Sequence, residues 1–478
     1  MNFFIKRTAP VLGLLGLGLA GCQPTIEAPG ASAGSADFSR YIAVGNSLTA
    51  GYADGGLYRE SQLNSYPNIL AGQFAKVGGG DFVQPLFTEA QSNGSGYLKL
   101  AGFTAAGLPI TAPVTTTLAV RGGTPQAPLY TKFTDQINNL GVPGIRMSDI
   151  QTAGYGSQFG NPYFERITPD ANQFQTYLDR VRATIDAIKP TFFSEWLGNN
   201  DVLGYATSGG ASPSSLLTRP DTFALKTNRV LNVLVSGGAK GVVMTIPDVT
   251  GIPFFTTVGP SFKEKLIKNS VPGLVVLTGA APGGPTSGNR KQLATADIRD
   301  ASGGRQLFTL TSSPILSFFG QPTGAPWRYF LSVAGLPKAA LGPTLTAFGV
   351  DTTAAFGASA GNPMPSAFVL DDVEQGLVAT ATTAFNNSLI TAATARNLAL
   401  FDANAFFRGV SSSGFQVNAA NNTANYLSGN LFSLDGVHPT PRGYAIIANE
   451  IVRAINLKYG STLTGVNANN YRGVIFPN

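Results

Sequence analysis

The sequence predicts an α/β fold built on a mostly parallel sheet, and three observations predict it. Short apolar runs read as buried strands, amphipathic stretches of helical period lie between them, and brief Gly or Pro turns separate the two. The segment 222–235, Gly237-Gly238 and the run 241–246 show the unit once: helix, tight turn, strand. Its repetition along the chain is the mark of crossover connections on a parallel sheet.

Taken in order, the chain opens with Lys6 and Arg7 before a Leu, Gly and Ala run over 11–20. That core is too short for a stable bilayer span and reads as an export signal. It ends in Leu19-Ala20-Gly21-Cys22, which resembles the lipobox of bacterial lipoproteins and implies cleavage after residue 21 and lipidation of Cys22. Cys22 is the only cysteine, so no disulfide or thiolate metal site is expected in the mature chain. Residues 22–38, rich in Pro, Ala, Gly and Ser, are expected to form a flexible tether. The absence of Asp directly after Cys22 favours the outer membrane by the sorting rule of that class, so the expected location is the bacterial cell envelope.

Beyond residue 39 the elements follow one another unevenly. Residues 41–45 form a short apolar run ending in a turn, and 66–76 suit a helix. About 81–135, Gly, Thr and Pro recur without helical period, which predicts a long loop or small β insertion. Phe174, Leu178, Val181, Ile185 and Ile188 fall at helical spacing over 173–188; Pro190 stops that helix and 191–197 follows as a strand. After the 222–246 unit the pattern breaks off near Pro253 and resumes with a helix over 371–396 and a strand over 398–401. The intervening stretch, about 254–369, carries the apolar patches 315–319 and 327–331 and is expected to be a second subdomain or lid. Thr440 and Pro441 read as an N-cap and first helical residue, with Tyr444, Ile447, Ile451 and Ile455 marking a helix over 441–458.

Composition narrows the function classes. Charged residues make up only 12% of the chain, and of the formal net charge of +6, Lys6 and Arg7 lie in the leader. No Lys and Arg cluster is interleaved with aromatics, so no nucleic-acid partner is expected. One histidine and scattered carboxylates offer no metal-ligand set, and neither metal nor cofactor is expected.

That histidine, His438, stands in Asp435-Gly436-Val437-His438-Pro439. A carboxylate three residues before an imidazole can reach its far nitrogen and fix the tautomer. The following helix places the imidazole at the positive end of a dipole, which suits a general base. In open α/β sheets chemistry collects beyond the carboxyl ends of strands. Gly45-Asn46-Ser47-Leu48 and Gly198-Asn199-Asn200-Asp201 each follow a predicted strand directly, and Gly141-Val142-Pro143-Gly144 sits in a predicted loop. These residues supply a hydroxyl, a side-chain amide, unobstructed backbone N–H groups and an Asp-His pair, the parts that acyl transfer from a serine requires.

The four blocks, in this order and strand context, resemble the SGNH hydrolases, the GDSL-type lipases and esterases. The matching segments are Gly45-Asn46-Ser47-Leu48, Asn139-Leu140-Gly141-Val142-Pro143-Gly144, Gly198-Asn199-Asn200-Asp201 and Asp435 to Pro439. The resemblance implies a three-layer αβα sandwich of flavodoxin-like type over residues 39–478, with the two insertions outside its core. It implies Ser47 as nucleophile, Asp435 as orienter and His438 as base, with Ser47, Gly144 and Asn200 forming the oxyanion hole. Asn46 replaces the usual Asp of the signature but keeps an acceptor for the turn. Gly141 is an alternative to Gly144, and Asn199 to Asn200.

Two decoys can be set aside on context. Gly16, Gly18 and Gly21 have dinucleotide-binding spacing but lie in the leader, without a flanking strand and helix. Gly-Ala-Ser-Ala-Gly occurs around Ser32 and Ser359; the first is in the tether, and Asn362-Pro363 after the second opposes the helix that a nucleophile elbow needs. The expected activity is hydrolysis of carboxylic esters. The aromatic insertions and the tether to the membrane suggest acyl lipids, with acetylated glycans as the alternative substrate and a non-catalytic surface binding lipoprotein as the alternative role.

Overall fold

The computed structural model describes residues 30–104, 109–279 and 289–477. The expected leader and Cys22 lie outside them. Five parallel strands form the central sheet: β1 (Tyr41–Gly45), β2 (Asn139–Gly141), β3 (Phe192–Trp196), β4 (Lys240–Met244) and β5 (Ala399–Phe401), in the order β5-β4-β3-β1-β2. Their apolar runs are buried, as expected for strands covered on both faces.

Helices flank the sheet. α1 (Ser47–Ala50) is a single turn after β1, and α2 (Tyr66–Phe74) packs on α7 (Pro441–Tyr459). α3 (Tyr177–Ile188), α4 (Asn200–Thr207), α5 (Pro220–Val235) and α6 (Asp372–Ala395) form a second group, with α5 between α3 and α6. The architecture is a three-layer α/β fold. Among the described residues no helix is long and apolar enough to cross a membrane.

Several differences from the sequence reading have local causes. α3 starts at Tyr177 rather than 173, because Thr176 and Asp179 close a capping box there; Phe174 is left outside the helix and exposed. Residues 139–141 form an edge strand, so the loop expected over 141–144 begins only at Val142: three residues give too short a pattern to read, and the pairing with β1 makes them a strand. Residues 31–38 of the expected tether pack on the body. Ser35 donates its N–H to Tyr459 O at 2.8 Å, and Ala36 and Phe38 are buried.

Both insertions have structure of their own. The first carries two antiparallel hairpins, Tyr97–Phe103 with Pro109–Val114 and Val120–Thr124 with Ala127–Tyr130. The second builds a separate core in which Phe262, Phe308, Ile315, Leu316 and Phe368 meet, and Trp327 is fully buried. Ser359 lies in a turn of this insertion, where its hydroxyl accepts from the Gly361 N–H and the buried Asn362 accepts from the Trp327 indole.

Candidate active site

The Gly45-Asn46-Ser47-Leu48 block is shaped by a close approach. A Cβ on Gly45 would stand 2.0 Å from Thr49 Oγ1 and 2.8 Å from Trp196 O, so only glycine lets α1 fold back on the end of β1. The Asn46 side chain caps that turn by accepting from the Leu48 N–H at 3.0 Å. Ser47 is thereby fixed as the first helical residue, 6% exposed, at the carboxyl end of the sheet.

His438 reaches this serine from the far end of the chain. Its Nε2 is 2.9 Å from Ser47 Oγ and its Nδ1 is 2.8 Å from Asp435 Oδ2. An ionised Asp435 can only accept, so Nδ1 carries the proton and the Ser47 hydroxyl donates to Nε2. Asp435 also accepts from the N–H groups of Val437 and His438, each at 2.8 Å, and from the Gly55 N–H at 2.9 Å. Burial alone would raise its pKa; the charge and ring hydrogen bond of His438, with the backbone donors, outweigh that and bring it to about 2. Thr440 accepts from the Gly443 N–H as the N-cap of α7, so the imidazole precedes the positive end of a helix. The Tyr52 ring packs on it, with centroids 4.6 Å apart.

Gly144 and Asn200 line one open groove of about 450 Å³. Gly141 pairs in register with Gly45, and the Val142 N–H donates to Gly45 O at 3.0 Å, so the turn carrying Gly144 leaves the sheet beside the start of α1. Gly144 has φ +84°, and the carbonyl of the preceding Pro143 accepts from Asn161 Nδ2 at 2.8 Å. Asn200 Nδ2 donates one hydrogen to Ile145 O at 2.9 Å, which leaves its second free. Among the described residues no acceptor takes the N–H of Ser47 or of Gly144. The rivals sit elsewhere: a Cβ on Gly141 would meet Ala50 N at 2.3 Å beneath α1, and buried Asn199 does not line the groove.

Two acids that sequence reasoning left without a role organise the loops. Asp201 accepts from the N–H groups of Met147 and Ser148 and from Thr218 Oγ1, tying the chain after Gly144 to the start of α4; burial raises its pKa to about 6. Its place beside Asn200 was the available signal. Asp54 accepts from the Leu434 N–H at 3.0 Å and holds the Asp435 loop; the Asp54-Gly55 turn dipeptide marked the spot without indicating what it touches.

The second insertion also reaches the site. The Phe254 N–H donates to Gly436 O at 2.9 Å, between Asp435 and His438. The chain matches no protein-family model and no curated protein.

Proposed function

We propose that this chain is a serine ester hydrolase of the SGNH, GDSL-type class that works through an acyl-enzyme, exported and held in the cell envelope by a lipidated Cys22. The observation that carries the reading is the unbroken relay Ser47–His438–Asp435, with contacts of 2.9 and 2.8 Å, made by the one imidazole in the chain. In acylation Ser47 Oγ bonds to the ester carbonyl carbon while His438 Nε2 takes the hydroxyl proton. The carbonyl oxygen becomes an anion facing the N–H groups of Ser47 and Gly144 and the free amide hydrogen of Asn200, donors worth roughly 10²- to 10³-fold each in turnover. His438 then gives its proton to the departing alkoxide. Water repeats the sequence to release the acid and restore Ser47.

One observation favours a short acyl group on a polar alcohol, such as an acetylated glycan, over a long-chain lipid. The groove beside Gly144 and Asn200 is walled by Arg146, Asp149, Tyr155, Thr207, Ser214 and Ser215, with Leu203 its one large aliphatic residue. The aromatic patches that suggested an acyl pocket are spent on the second insertion's own core.

A fluorophosphonate probe tests the reading. Labelling of wild type and none of Ser47→Ala is the expected result; a folded wild type that does not label, or a Ser47→Ala variant that does, refutes it.

A further inference from the structure

The turn that holds the catalytic acid contains a residue in a conformation that side chains seldom adopt. Asp54 has φ +54° and Gly55 φ +76°, and Ala53 and Gly56 exchange backbone hydrogen bonds of 3.0 and 2.9 Å, a two-residue turn of type I′. Asn, Asp and Gly are the residues that tolerate this left-handed region.

Every polar group of Asp54 is used. Its N–H donates to Ser433 Oγ at 2.8 Å, and that hydroxyl donates to Asp435 Oδ1 at 3.2 Å. Its carboxylate accepts from the Leu434 N–H at 3.0 Å and from Tyr58 OH at 2.7 Å, while Arg472 donates to the same phenol at 3.0 Å. Its carbonyl accepts from the Leu98 N–H of the first insertion at 2.7 Å. The neighbouring Gly55 N–H donates directly to Asp435 Oδ2, the oxygen that His438 uses.

We infer that Asp54 is a positioning residue for the acid–base pair: its turn sets two of the hydrogen bonds, from Gly55 N–H and Ser433 Oγ, that share the charge of Asp435. Asp54 is 5% exposed and does not reach Ser47, so it acts through Asp435 alone. The other titratable groups around Asp435 are the phenols of Tyr52, Tyr426 and Tyr444, each electrostatically coupled to it, and Arg472 behind Tyr58. Loosening the turn removes donors from the carboxylate. The less-shared charge then holds the imidazolium more strongly, and the acidic limb of the rate profile moves to higher pH; where Asp54 itself is neutralised, the loss of its own negative charge acts in the opposite direction.

Asp54→Ala and Ser433→Ala test this in the full chain, with Asp54→Asn as the conservative variant that keeps both the left-handed preference and an acceptor for Leu434. Two readouts are used. Because His438 is the only histidine, ¹³C-histidine NMR reports its titration without any need for turnover. Hydrolysis of p-nitrophenyl acetate, normalised to sites titrated with fluorophosphonate, gives kcat, KM and the pH limb. The expected result is an upward shift of the His438 titration on the order of half to one unit in Ser433→Ala relative to wild type, and in Asp54→Ala relative to Asp54→Asn, which has lost the same charge. A fall in kcat of about tenfold or more accompanies it, since small misplacements of reacting groups cost up to roughly 10²-fold, with KM little changed. In kcat, Asp54→Asn falls between wild type and Asp54→Ala. Ser433→Ala deletes one hydroxyl and keeps the test open if Asp54→Ala does not fold. A folded Ser433→Ala that titrates with wild type, or a folded Asp54→Ala that titrates with Asp54→Asn, overturns the proposal. The inference rests on the esterase reading only for its kinetic arm: a wild type without esterase activity would defeat that reading, while the NMR titration still decides the role of Asp54.

Discussion

Replacing Asp435 by Asn changes one atom, and the structure fixes which one. Oδ1 accepts three donors, the N–H groups of Val437 and His438 and the Ser433 hydroxyl, whereas Oδ2 accepts two, His438 Nδ1 and the Gly55 N–H. The amide oxygen therefore keeps the Oδ1 place and the NH₂ takes that of Oδ2. There it meets the Gly55 N–H donor to donor, and it donates to His438 Nδ1 instead of accepting from it. The ring proton moves to Nε2, 2.9 Å from Ser47 Oγ, where a lone pair is needed to take the hydroxyl proton. Nearly intact geometry with the wrong tautomer costs about 10⁴-fold in kcat in a triad of this kind, or roughly 5.5 kcal/mol of transition-state stabilisation. The assay is kcat and kcat/KM for p-nitrophenyl acetate at neutral pH, with circular dichroism to show that the variant is folded. A folded variant within tenfold of wild type would refute the assignment of Asp435 as the group that sets the tautomer.

Three further outcomes are expected. Gly141→Ala, whose Cβ would lie 2.3 Å from Ala50 N, should lower stability by about 1–3 kcal/mol with turnover of the folded fraction little changed, whereas Gly144→Ala meets only Asn161 Nδ2 at 3.4 Å, costs about 1–2 kcal/mol for its φ of +84°, and should lose turnover in the folded protein; the reverse pattern of turnover would exchange the two glycines' roles. Burial raises the pKa of fully buried Glu195 in β3 to about 8, so the folded state holds a proton that the unfolded chain releases near 4.5. Stability should then fall as pH rises from about 4.5 to 8, by up to ~1.4 kcal/mol per unit, and Glu195→Gln should flatten that fall; parallel pH–Tm curves for the two proteins would show otherwise. Gly204→Val narrows the groove, since a Cβ there stands 3.4 Å from Ser215 Cβ, and should reduce turnover of esters of bulky alcohols at least tenfold while sparing p-nitrophenyl acetate; equal losses on both would separate the groove from substrate binding.

The sheet was legible where apolar runs were long and bounded by turn residues: the 41–45 run coincides with β1, and the helix read over 441–458 differs from α7 by one residue. It was not legible at β2, whose three residues become a strand only through register with β1. Ser47, Asp435 and His438 could be named because their spacing within short blocks reflects local geometry. The roles of Asp54 and Asp201 could not, because each acts through contacts with residues distant in the chain, such as Leu434 and Thr218, that no periodicity encodes. The aromatic content of the second insertion was visible, but composition does not say whether such side chains face a ligand or one another.

Ser47 and His438 lie 391 residues apart. A ribosome making this chain releases the serine early and the imidazole late, and the histidine is held in place by α7, which docks on α2 and β5 after nearly everything else has been synthesised. No partly made or prematurely ended chain that stops before residue 438 can complete the relay. During synthesis the polypeptide therefore carries Ser47 without its imidazole partner, and the docking of its last long helix is also the moment at which the contact between Ser47 and His438 can form.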